Sequence, residues 1–398
     1  MDAYVAEWLN LLFRWLHFTA GIAWIGSSFY FIWLDNHLEP AKPEDAARGV
    51  YGEIWSVHGG GFYHNRKYLL GPERLPETLH WFKWEAYFTW ISGMALMAVV
   101  YYWGAETYLL DRDVAELTPL QGIAISVGSL IVSWVVYDLL CKSPLGNNGL
   151  ALLIVGFVLV LASSWGFAQV FSGRAAYLHV GAMIGTIMVW NVFFVIIPGQ
   201  RKLVDAVKAG QKPDPEPGLK GKQRSVHNNY LTLPVLFIMI SNHYPMTYGH
   251  DHAWAVLGAM VVAGVLIRHF FNLRHKGKVV IALPAAATVV VVGLAVAIVP
   301  KNSLVASIDP SEIDVDQVKL VINERCLSCH AAKPTQEGFK SPPAGVVLET
   351  PGQLKRWATR INLLAVERQT MPAGNVTEMT DQERALLGKW FRAGAPTD

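Results

Sequence analysis

Cys326, Cys329 and His330, in the stretch ERCLSCHAAKP, carry the most specific chemistry in the sequence. At this CxxCH spacing the two thiols can alkylate both vinyl groups of one haem and the following imidazole is placed to ligate its iron, so the cofactor becomes covalently fixed. The sixth iron ligand is expected from Met371, in the proline-flanked turn QTMPAGN, rather than from Met379 at the start of a helix. A Met/His pair raises the haem potential, which suits an electron acceptor. A redox or zinc-binding CxxC is the bland alternative, and it accounts for neither the histidine nor the Met-Pro downstream.

Further histidines sit in apolar surroundings. His17 (RWLHFTAGIAWIG) and His179 (YLHVGAMIG) are each followed by small residues that let a flat cofactor or another helix approach. They are candidate ligands of a b-type haem, against a reading as helix-to-helix hydrogen bonds. His243 and His252 join them near one face. A second gathering lies toward the opposite face: His58, His64 and Arg66 in VHGGGFYHNRKY, Trp84 and Glu85 in LHWFKWEAYFTW, His227, Asn228, Asn229 and Tyr230 in SVHNNYLTLP, and Arg268, His269 and Asn272 in RHFFNLRHKG. Donors, acceptors, rings and cations together suit a planar, anionic, multiply hydrogen-bonding substrate. The alternative is an ordinary interfacial belt.

The elements that must hold these groups are set by composition. With 52% hydrophobic and 16% charged residues, the chain departs from soluble proteins, where about a quarter of positions are charged. Stretches of about 20 apolar residues, enough to cross a bilayer, run from 8 to 34, 81 to 104, 119 to 140, 149 to 172, 174 to 198, 228 to 246, 252 to 271 and 278 to 299. The lysines and arginines concentrate in the loops 35–80 and 199–227, which the positive-inside rule makes cytoplasmic. Eight spans then leave both termini on the other side. The start, MDAYVAEW, has no basic region or cleavage site and is expected to be a retained first span. A net charge of +2 without a basic stripe argues against nucleic acid as a partner. Cys141, at a span end, is expected to be a small buried hydrophobe.

The expected fold is therefore all-α: an eight-helix polytopic membrane bundle over 1–300 and a c-type cytochrome domain over 301–398. Thr380 and Glu383 should form a capping box for the last helix. The tail resembles class I cytochromes c.

The segments WLHFTAGIAWIGSSFYFIWLD, EIWSVHGGGFYHNRKYL, LHWFKWEAYFTWISG and HNNYLTLPVLF, followed by a CxxCH tail, resemble the bacterial membrane-bound urate hydroxylases, cytochrome c-fused urate oxidases, over essentially the whole chain. The resemblance implies oxidation of urate to 5-hydroxyisourate, with electrons leaving through the C-terminal haem to a respiratory cytochrome or cytochrome c oxidase. It also implies a bacterial inner membrane location, with the N-terminus and the cytochrome periplasmic. On that reading His58, His227 and Glu85 are candidate acid–base groups. Asn228, Asn229, His64 and Arg268 would read the ring's polar pattern, while Trp84 or Tyr230 stacks on it. The rival is a non-catalytic electron-transfer subunit of a terminal oxidase or other cytochrome-linked dehydrogenase complex, for which urate would not reduce the haem.

Overall fold

Helix occupies each of the eight apolar stretches in the computed structural model, which describes residues 3–72, 74–299 and 313–397. The helices are α1 Ala3–His37, α2 Trp84–Leu96 with a wide turn to Tyr102, α3 Pro119–Lys142, α4 Gly149–Ala168, α5 starting at Gly173, α6 Glu216–Ser241, α7 Ala253–Arg274 and α8 Ala282–Ala297. Four are long and apolar enough to cross a membrane by length and composition: α3, α4, the continuous Gly173–Lys208 and α7. That is compatible with membrane association. Large apolar side chains such as Leu150, Ile154, Val158, Val289 and Val296 stand exposed on the helices, as a lipid-facing surface requires.

Local chemistry sets the helix ends. Thr118 and Gln121 form a capping box at the start of α3, and Asn148 and Ser172 accept a backbone N–H at the starts of α4 and α5. In α5 the wide turn Val192–Ile196 immediately precedes Pro198. A proline lacks the N–H for the helical ladder and crowds the preceding turn, and widening the helix there relieves both. Small residues bring helices close. A Cβ on Gly181 of α5 would lie 2.7 Å from Ile238 of α6, and one on Gly258 of α7 would lie 2.5 Å from Leu161 of α4.

The all-α expectation is corrected by a small sheet inside the basic 35–80 loop. Strands β1 Glu39–Pro40, β2 Val50–His58 and β3 Gly61–Tyr68 pair antiparallel in the order β1-β2-β3. Gly59 and Gly60 make the turn at φ of +57° and +80°. Both values lie where L-residues are disfavoured, and two such residues in succession give the hairpin connection whose twist matches the strands. The triple glycine beside His58 is thereby explained as turn chemistry.

Beyond residue 312 a second apolar cluster forms around Val318, Ile322, Leu354, Leu387 and Trp390, separate from the main bundle core. Its helices are α9 Val315–Arg325, α10 Pro351–Ile361 and α11 Asp381–Arg392. The capping box at α11 is present: Thr380 Oγ1 accepts from the Glu383 N–H at 3.3 Å, and the Glu383 carboxylate accepts from the Thr380 N–H at 2.7 Å. The expected boundary at 300/301 lies outside the described residues.

Candidate functional site

Helix α6 enters the bundle at the end away from the C-terminal unit and carries Arg224 to Tyr230 past three neighbours. Successive residues on a helix point about 100° apart, so this one run serves two polar clusters.

The first faces α3 and α5. Arg224, buried, pairs through Nη2 with Asp138 Oδ1 at 2.8 Å and lies 4.9 Å from the Tyr137 ring centre. Asn191 Nδ2 donates to the Tyr137 hydroxyl at 3.2 Å and to Asn228 Oδ1 at 3.1 Å, and Asn228 Nδ2 donates to the Met188 carbonyl at 2.9 Å. The Tyr137 hydroxyl, accepting from Asn191, has its own hydrogen left to donate to His227 Nδ1 at 2.7 Å. His227 is thus held by a ring nitrogen already used as an acceptor. Beside this network a cavity of about 650 Å³ is lined by Asp138, Cys141, Lys142, Glu216, Gln223 and Arg224. Its cations are only partly offset: Asp138 is shared between Arg224 and Lys142, Glu216 pairs with Lys220, and Arg224 Nη1 is buried without a partner.

The second cluster faces α1 and α7 and is not neutralised. The Arg268 guanidinium, in a residue only 5% exposed, donates from Nε to Asn229 Oδ1 at 2.9 Å and sits 4.0 Å from the Phe29 ring centre. Asn272 Nδ2 donates to the same oxygen at 3.0 Å. Among the described residues no carboxylate pairs with Arg268. Two amide atoms, Asn229 Nδ2 and Asn272 Oδ1, are buried without a partner. A buried amide group costs free energy unless it is hydrogen-bonded, so this donor and acceptor have bonding capacity left for a ligand or water beside the Arg268 cation. At the next position on each helix, the Tyr230 hydroxyl and His269 Nδ1 are 2.7 Å apart.

The structure thus brings Asn229, Tyr230 and Arg268 together, and His227 with Asn228 on the other flank of α6. His58 stands exposed at the hairpin tip, and His64 on β3 bonds Glu53 at 2.9 Å and stacks on Trp55 at 4.3 Å. Neither is joined to the α6 clusters, because the hairpin packs on β1 and the short turn Pro43–Ala46. Trp84 is exposed under Lys83, and Glu85 Oε2 is buried with no partner. Phe29, Tyr137, Asp138 and Asn191 escape sequence reasoning. They come from other helices and read there as ordinary apolar-helix residues.

His17 and His179 face different helices. His17 Nδ1 donates to the Thr89 carbonyl on α2 at 2.8 Å. His179 donates from Nδ1 to Ala175 O at 2.7 Å, bonds Ser126 through Nε2 at 2.6 Å, and stacks on Phe171 at 4.3 Å. With both His179 nitrogens engaged and its ring flanked by phenylalanines, the two do not fit an opposed axial pair on one haem. His243 and His252 lie in the turns around Pro245–Tyr248, at the end of the bundle nearest the C-terminal unit.

In that unit Cys326 and Cys329 are free thiols. Burial pushes the Cys326 thiol up to about 12. The backbone N–H groups of Cys329 and His330 both bond the Cys326 carbonyl, folding the motif into one turn. His330 Nδ1 donates to the Val346 carbonyl at 3.0 Å, which orients the ring and leaves Nε2 with its lone pair. Met371 packs on the edge of the unit's apolar cluster, whereas Met379 is buried within it. Two thiols, an oriented imidazole and a half-buried thioether fit a covalently attached haem. Among the described residues no group of three or more His, Cys, Asp or Glu could hold a bare metal ion. A haem asks the protein for only one ligand on each face.

Residues 3–299 match the family described as urate oxidase N-terminal. No curated protein and no solved structure matches the chain.

Proposed function

Because this chain belongs to the urate oxidase N-terminal family, whose membership points to a urate-related oxidoreductase, we propose that it is a membrane-bound urate hydroxylase that binds the urate anion at Arg268 and sends electrons out through its C-terminal unit. One observation carries the placement: a buried, uncompensated guanidinium beside a buried amide donor and a buried amide acceptor, both unpartnered. Urate is flat, anionic at neutral pH, and edged alternately with N–H and C=O groups. Arg268 offsets its charge, Asn229 Nδ2 donates to a carbonyl, Asn272 Oδ1 accepts a ring N–H, and Phe29 closes one side. In the cavity beside Arg224 two carboxylates, Asp138 and Glu216, would repel such an anion, whereas no carboxylate among the described residues pairs with Arg268.

The reaction is urate plus water giving 5-hydroxyisourate, two protons and two electrons. Removing electrons from the purine leaves C5 electrophilic, and water adds there. His269, oriented by the Tyr230 hydroxyl, is placed to take a proton from the substrate or from that water. His227, held by the Tyr137 hydroxyl, steadies α6 so that Asn229 keeps its aim. A haem held by Cys326, Cys329, His330 and Met371 would supply a one-electron exit at the opposite end of the bundle, so this reading requires a further carrier across the hydrocarbon layer of about 30 Å that separates it from Arg268. In this reading the eight helices span an inner membrane, residues 301–398 form a periplasmic cytochrome c domain, and a respiratory cytochrome or oxidase receives the electrons.

The test is anaerobic addition of urate to membranes carrying the full chain. Reduction of the c-type haem, abolished in Asn229→Leu with haem content unchanged, is expected. Undiminished reduction in that variant would place the substrate elsewhere. No reduction in the parent chain would remove the reading altogether.

A further inference from the structure

The loop that offers the sixth iron ligand is wedged against the helical bundle. The residues from Arg368 to Met379 lie on two outer segments, the wide turn Ala105–Leu109 with the following Asp111–Asp113, and the turn Pro245–Gly249. A Cβ on Gly374 would come within 2.5 Å of the Glu106 carbonyl and 2.9 Å of the Leu110 carbonyl, and Gly374 holds a φ of +59°. Gly249 is equally tight against Arg368 and Thr370, at 2.9 and 3.0 Å from an added Cβ. At Gly374 backbone therefore meets backbone, and at Gly249 the Arg368 and Thr370 side chains pack directly on backbone, so neither glycine has space for a side chain.

One acidic side chain of the bundle joins this contact to the ligand loop. Asp113 Oδ2 accepts from Asn375 Nδ2 at 2.8 Å and lies 3.8 Å from Arg384 Nη2. Asn375 returns its own Oδ1 to the Met379 N–H at 2.9 Å. Arg384, buried in the C-terminal unit, donates from Nη1 to the Met371 carbonyl at 2.7 Å and to the Ala365 carbonyl at 2.6 Å. Its Nη2 is buried and otherwise unpartnered. Nearby, Arg112 and Glu378 pair at 3.0 Å, but both are well exposed, so that pair contributes little.

We propose that Asp113 is a positioning residue for the haem's methionine ligand: through Asn375 and Arg384 it fixes the Met371 loop, so that docking of the C-terminal unit on the bundle and completion of the iron's coordination are a single interlocked event. The Met371 side of the unit is then the side on which electrons arrive, and the external acceptor meets a different surface. A unit lifted off the bundle loses the group that completes the Arg384 contacts, and its thioether ligand becomes labile. The interlock would keep an undocked haem from short-circuiting with other redox partners. This inference rests on the reading of the tail as a haem domain.

The experiment uses the full-length holoprotein and three variants. In Asp113→Ala a more than half-exposed side chain is removed, so folding is not at risk. In Gly374→Ala a methyl group separates the two surfaces. Arg112→Ala removes only the rim pair and serves as the control. Haem staining of the denatured polypeptide shows whether the cofactor is covalently attached, independently of the latch. The red charge-transfer band of methionine-ligated ferric haem reports the Met371–iron bond, and rapid mixing with urate reports the rate of haem reduction.

Asp113→Ala and Gly374→Ala should each weaken that band and slow reduction about tenfold, the scale of one lost charge-assisted hydrogen bond, with haem staining and secondary structure unchanged. Arg112→Ala should match the parent. A full band and a parental rate in both Asp113→Ala and Gly374→Ala would overturn the interlock while leaving the haem reading intact. Absence of covalent haem from the parent would instead remove the reading on which it rests.

Discussion

Arg268→Gln separates a binding role from a structural one, because the two predict opposite changes in stability. The guanidinium is 5% exposed and no carboxylate among the described residues compensates it. Its favourable contacts are the Phe29 face, of order 1–2 kcal/mol for a desolvated cation–π pair, and the Asn229 bond, about 1.5 kcal/mol. Against these stands a desolvation cost of several kcal/mol for an unpaired buried charge. Glutamine keeps much of the length and can still bond Asn229 without the charge. The ligand-free variant should therefore melt no lower than the parent, and up to a few degrees higher.

Substrate handling moves the other way. Loss of a charge-assisted contact to an anion in a water-poor site costs about 3–4 kcal/mol, so kcat/KM should fall by roughly 100- to 1000-fold. The assay is anaerobic rapid mixing of urate with detergent-solubilised full-length protein, followed by the haem absorbance, with a thermal melt of the same preparations. Retention of kcat/KM within about threefold of the parent would refute the placement of urate. So would a melting temperature that drops in step with activity, since that is the mark of a core residue.

Three further outcomes follow from the geometry. Met371→Ala should abolish the methionine charge-transfer band while leaving the unit folded, whereas Met379→Ala, truncating a core side chain, should destabilise the unit by about 2–5 kcal/mol; thermal melts and ferric spectra distinguish them. Burial raises the Glu383 carboxyl, but the Thr380 N–H and the Arg325 guanidinium outweigh it and hold it below the ordinary carboxylate range. The folded unit then binds fewer protons there than the unfolded one, so its contribution is complete above the ordinary carboxylate pKa and is lost as pH falls through the lowered value. Glu383→Gln should flatten that part of the acid-melting profile. Gly60→Val, forced to φ of +80°, should destabilise the hairpin by 1 kcal/mol or more, read as faster proteolytic nicking between residues 50 and 68.

What was legible from sequence divides by range. The capping box at Thr380 and Glu383 needs only neighbours three positions apart, and the structure forms it as the spacing predicts. Apolar runs located all eight helices of the bundle for the same reason. The glycines at 59–61 were ambiguous in sequence because hairpin turns and substrate loops use the same residue, and the hairpin shows only once the strands pair. The HNNY run drew notice as a unit, yet helical rotation sends His227 and Asn228 to one flank and Asn229 to the other. Phe29 and Asn191 could not be picked out, since their meaning comes from partners 239 and 37 positions away in the chain. The Asp113 contact was equally silent, because an acidic loop residue gains a role only when a distant segment settles on it.

The unbroken rod from Gly173 to Lys208 offers a practical ruler. At about 1.5 Å per residue its 36 residues measure roughly 54 Å, against a hydrocarbon layer of about 30 Å. Under the proposed membrane reading, close to half its length projects into headgroups and water, carrying Lys202 and Lys208 clear of the hydrocarbon. A single depth reading from a spin label on this mast, taken with paramagnetic quenchers, would fix the vertical placement of every helix bolted to it.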